Sequence, residues 1–62
     1  MKVYQLAGYP RNHYFVKTFS QFIVVYSWMR QHDVEYLHES SGNHGIGFSV
    51  TKNLEWFLLR WA

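Results

Sequence analysis

Sixty-two residues with no cysteine rule out a disulfide scaffold and a thiolate zinc site. A net charge of +2, with no run of Lys or Arg, permits contact with nucleic acid but does not call for it. A chain this short buries only about 60% of its unfolded surface, so its five Phe, five Tyr and three Trp cannot all be hidden, which favours self-association or a partner.

The whole chain, 1–62, is expected to form one small domain. Lys2 to Tyr9 alternates like a strand. The turn chemistry of "GYPRNH" follows, and then "HYFVKTF", His13 to Phe19, reads as a second strand in hairpin spacing. Thr18 to Asp33 contains the strand-like run "FIVVY". Its length, and Phe22, Val25, Tyr26 and Met29 on one stripe, predict a helix instead. Thr18 and Gln21 have capping-box spacing, and Arg30 and His32 suit the negative end of the helix dipole.

Val34 to Glu39 alternates again, and "SSGNHGIG", Ser40 to Gly47, reads as a hairpin loop with Gly42, Asn43 and Gly45 at positive-φ positions. Ile46 to Thr51 sets Ile46, Phe48 and Val50 against Gly47, Ser49 and Thr51. Lys52 to Trp61 is helical, with Leu54, Phe57, Leu58 and Trp61 as its core stripe. The order is ββαββα. It predicts an α+β fold: a four-stranded antiparallel sheet with both helices on one face, in a permuted ferredoxin-like layout. A split sheet, or a swapped dimer sharing strands, is the alternative. A weak echo accompanies this order: Phe22, Val25, Tyr26 and Met29 recur 32 positions later as Leu54, Phe57, Leu58 and Trp61.

"HGIGFSVT" and "HYFVKTF" resemble, over about fifteen residues, the two strand motifs of RNA-recognition domains. In that family the positions matching Ile46 and Phe48 face outward to stack on bases, while alternate positions fill the core. Here those alternate positions are Gly45, Gly47, Ser49 and Thr51, which cannot fill a core, so the parity argues against membership. A generic basic-aromatic strand face remains, made of Arg11, His13, Phe15 and Lys17.

The Gly-rich stretch precedes a strand and not a helix, so it is no phosphate cradle. The four histidines, His13, His32, His38 and His44, lack HxxxH spacing; no metal and no cofactor is expected. A His13/His44 pair with Lys17 could move protons only if the two loops converged, and no nucleophile–base–orienter set is visible. The chain is read as a non-enzyme.

The last helix carries Trp56 and Leu59 opposite its core stripe, with Glu55 and Arg60 beside them, and Trp28 flanks the stripe of the first helix. Exposed Trp next to Arg is the composition of an interface hot spot. The leading expectation is therefore a protein-binding module that occludes a larger protein through Trp28, Trp56, Leu59 and Arg60, and is itself a homodimer. By analogy of size and composition alone, it is of the kind that bacteriophages and mobile elements use as inhibitors or antitoxins. The rival is a small RNA- or single-stranded-DNA-binding domain using Arg11, His13, Phe15 and Lys17. The apolar runs fall short of the ~20 residues that cross a membrane, no secretory leader is visible, and a cytoplasmic protein without membrane partners is expected.

Overall fold

The computed structural model describes residues 2–61. Its elements are β1 (His13–Val16), α1 (Phe19–Gln31), β2 (Glu35–Gly42), β3 (Gly45–Lys52) and α2 (Leu54–Trp61). The fold is α+β, with two helices and a three-stranded antiparallel sheet in the order β1-β3-β2.

The expected first strand does not form, so the sheet has three strands among the described residues and not the four of the expected ferredoxin-like layout. Lys2 to Tyr9 contributes one isolated bridge, Tyr4 to Phe15, with backbone hydrogen bonds of 3.0 and 2.7 Å. The chain turns at Ala7–Gly8, where Gly8 has φ of 92°, and the Gln5 side-chain amide donates to the Arg11 carbonyl in place of a ladder bond.

Helix α1 starts where the capping spacing places it. The Thr18 hydroxyl accepts from the Gln21 amide at 3.2 Å. The return bond runs to the Gln21 side chain from the Lys17 amide, one residue earlier than in a standard capping box. At the other end Asp33, with φ of 56°, takes the left-handed position normally given to glycine. The Val34 amide then reaches the Met29 carbonyl at 2.9 Å, and Val34 is buried.

The hairpin is tighter than expected. Only Asn43 and His44 make the turn; Ser40, Ser41 and Gly42 belong to β2, and of the glycines and asparagine named for it only Gly45 has positive φ, at 93°. A bulge places His38 and Glu39 opposite Phe48, with His38 at φ of 59°.

Phe48 fixes which face the helices cover. Its ring packs against Phe22 of α1 at 5.6 Å and Phe57 of α2 at 5.9 Å, so both helices lie on the same side of the sheet. Tyr14, Val16, Ile46, Val50, Val25, Met29 and Trp61 complete that core. β1–α1 and β3–α2 are two strand–helix units with neighbouring antiparallel strands, and Val25 and Met29 are buried at the positions matched by Phe57 and Trp61. Leu58, expected inside, sits at the margin, 38% exposed.

Gly45 has no substitute here. Its φ is positive, and a Cβ would run into the Val16 carbonyl oxygen of β1. Gly45→Ala is expected to cost about 2–3 kcal/mol in urea denaturation. Gly42→Ala, where a Cβ meets nothing within 4 Å, serves as the control and should cost under about 1 kcal/mol.

Candidate functional site

Two surfaces were candidates in the sequence, and the structure treats them differently. The first is the sheet face away from the helices. Cross-strand pairing sets His13, Ser49 and Leu37 in one row, and Phe15, Gly47 and Ser40 in the next. The basic-aromatic reading needs this face open, and its β1 half is closed. Phe15 is 4% exposed and His13 is 7% exposed.

The N-terminal segment provides the cover. The Tyr9 ring stacks on His13 at 5.0 Å and meets Phe15 edge-on at 5.0 Å, while Tyr4 stacks on Phe15 at 5.7 Å. Gly47 allows the close approach, since a Cβ there would stand 2.8 Å from both His13 Nε2 and Phe15 Cε2. Phe15 therefore offers no open ring to a base. Arg11 and Lys17 remain exposed on either side of it. The aromatic ring this face does present to solvent is that of Tyr9, 46% exposed.

His13 is held in one orientation. Its Nδ1 lies 2.8 Å from Ser49 Oγ, and its Nε2 meets no hydrogen-bond partner among the described residues. Burial, and secondarily the nearby His38, pull its pKa below the usual 6.5. The His–Ser pair is too buried to meet a substrate. His44 does not complete it: His13 and His44 each pack against the Phe15 ring, at 4.9 and 6.1 Å. No cluster of three or more metal-type ligands occurs among the described residues.

The second surface is the outward side of the helices. On α2, Trp56 is 57% exposed and Leu59 is 81% exposed. Arg60 lies next to Trp56 on the helix, and its guanidinium sits 4.0 Å from the centre of the Trp61 ring. Trp28 does not join them. It is half-buried between the helices, 4.5 Å from the His32 ring and edge-on to Phe57 at 6.5 Å and Trp61 at 5.9 Å. Its role is to seal the helix pair, which the flank position alone did not reveal.

Sequence reasoning missed a third set. Phe19, Ile23 and Val24 of α1 are exposed. The signal was present in "FIVVY", which is apolar on more sides than one buried stripe requires. Beside α2, Gln5, Arg11, Asn12, Tyr14, Leu54 and Leu58 line a groove of about 570 Å³. Burial raises the Tyr14 phenol above its usual pKa, and nothing in the groove pairs an acid with a base for proton transfer.

The buried imidazole makes stability pH-dependent. With its folded pKa below the unfolded value, the unfolded chain takes up the proton first. The contribution of neutral His13 is complete above about pH 6.5 and is lost as pH falls through the folded value. Urea midpoints should fall from pH 7.5 to pH 5 in the wild type. They should fall less steeply in His13→Asn, which starts from lower stability; parallel slopes would refute the assignment.

Comparison with known proteins finds no matching family model, no matching curated protein and no matching solved structure.

Proposed function

We propose that this protein is a small, non-enzymatic protein-binding module that works sterically, by covering part of a larger protein's surface in the cytoplasm. The observation that carries the reading is the pair Trp56 and Leu59. Both stand in water on a helix whose other side already fills the core with Phe57 and Trp61. Exposing them costs apolar hydration that the fold has no need to accept. Arg60 beside them supplies the charged neighbour typical of contact hot spots.

The outward residues of α1, Phe19, Ile23 and Val24, give the module a second apolar surface. An inhibitor or antitoxin-like role is the form that steric occlusion takes in this reading. The lack of cysteine suits a reducing compartment. Among the described residues, no helix is long and apolar enough to cross a membrane.

The test begins with affinity capture from the native cells, followed by titration of the purified target. Leu59→Arg or Ile23→Arg should weaken binding about tenfold or more, a loss of about 1.4 kcal/mol. Single-stranded RNA and DNA are titrated in parallel at two salt concentrations. Submicromolar binding that falls steeply with salt would replace this reading with the nucleic-acid one.

A further inference from the structure

Strand β2 lies at the margin of the sheet, with β3 on one side and no strand on the other. The opposite margin differs, because Tyr4 of the N-terminal segment bridges β1 there. Among the described residues, no backbone bond joins residues 35–42 to anything but β3. The outward N–H and C=O groups of β2 therefore face water, and the strand is exposed at every position except Tyr36. A groove runs beside this edge. Phe19 of α1, Ile46 of β3, and Glu39, Ser40 and Ser41 of β2 line about 280 Å³. Tyr26 meets Tyr36 edge-on at 6.0 Å, which turns one flank of α1 toward β2. At about 100° per residue, Phe19 and Ile23 share that flank with Tyr26, and both are exposed, at 64% and 42%. An open backbone edge and an apolar helix flank thus border the same trough.

We infer that this groove takes an extended segment of a partner protein, added as a fourth strand beside residues 39–42 of β2, with an apolar side chain against Phe19 and a Lys or Arg against Glu39. The inference rests on the protein-binding reading and gives the form of the partner at the α1 surface. The edge supplies backbone hydrogen bonds, which demand an extended chain and no particular sequence. Specificity comes from the side chains that a docked strand turns to the helix side, one in every two, about 7 Å apart. Glu39 and Ser41 are themselves two positions apart on β2, so the cation and the apolar residue stand two apart on the partner. Ser41 pairs with Ile46, and its small side chain leaves room there for the apolar one. Among the described residues both ion pairs belong to Lys52, which leaves Glu39 to an outside cation. The bulge limits the docked length, because the ladder is irregular between Leu37 and Ser40. A second copy is the poorer occupant: β2 holds Glu35 and Glu39 and no Lys or Arg, so β2 paired with β2 offers Glu39 no such cation in any register. A contact this short fits a dissociation constant on the order of 100 µM.

The probe is a synthetic peptide, acetyl-Thr-Leu-Thr-Lys-Thr-Leu-Thr-amide, whose apolar–cation spacing is the same in either strand direction. It is titrated to about 2 mM into the ¹⁵N-labelled chain, and amide shifts are followed. The amides of residues 39–42 should move together with those of Phe19 and Ile23. Replacing the peptide's Lys with Glu should weaken binding about tenfold or more, and Glu39→Lys in the chain should reverse that preference. Both changes lie on the surface and leave the core intact. A titration without shifts overturns the inference, as do shifts confined to α2, or equal binding of the Lys and Glu peptides. A peptide-free chain that sediments as a dimer, with its β2 amides protected from exchange, makes the second copy the occupant and overturns it too. Capture of the cellular target that is lost in Leu59→Arg but untouched by Glu39→Lys and Ile23→Asp overturns the added strand while leaving the protein-binding reading in place.

Discussion

Strand β3 is packed on both faces, and the rest of the molecule is arranged around that condition. On one face Phe48 has no exposure and touches rings from both helices. On the other, Gly47 presents no side chain at all, and Phe15 and His13 lie down over it. A large residue beside an absent one lets a single strand serve a thick core and a thin one. Phe15 pairs directly with Gly47 across the ladder, so the ring shields backbone that a side chain would ordinarily cover. The sheet is therefore the middle layer of three: helices, strands, and the irregular N-terminal segment.

That third layer explains most of the distance between sequence and structure. The parity of β3 was legible: Ile46, Phe48 and Val50 face the helices, and Gly47 and Ser49 face away. The inference from parity to solvent failed, because facing away from the helices is not the same as facing water. Tyr4 and Tyr9 bring their rings across the β1 half of the sheet from a segment that makes only one bridge. Nothing in local periodicity records such a long-range cover. Helix α1 was legible for the opposite reason. Its cap, Thr18, and its stripe, Phe22, Val25 and Met29, are local signals that packing reinforced.

The surface was legible in part. Trp56 and Leu59 could be read as surplus because a helix of known stripe leaves a definite remainder. Trp28 could not be placed that way. Its position at the flank suits either solvent or a neighbouring helix, and the closing of α1 against α2 decided for the neighbour. The hairpin shows the same dependence on context. Ser40 and Ser41 have poor strand propensity, yet they pair with Gly47 and Ile46 because β3 continues past them and needs a partner.

The two strand–helix units also explain why surplus apolar surface falls on both helices. Each helix spends one stripe on the shared core, and the sheet beneath them is only three strands wide. α1 nonetheless carries Phe19, Ile23 and Val24 outward, and α2 carries Trp56, Leu58 and Leu59. Folding alone would be served as well by polar residues at those positions, which solvate the outward side at no loss of packing. The fold tolerates them because the core beneath them is complete without them. In proteins generally, contiguous apolar surface of this kind is characteristic of interaction sites. On the other face of the sheet only the β1 half is covered, with Phe15 and His13 beneath Tyr9, while Leu37 of β2 stays exposed.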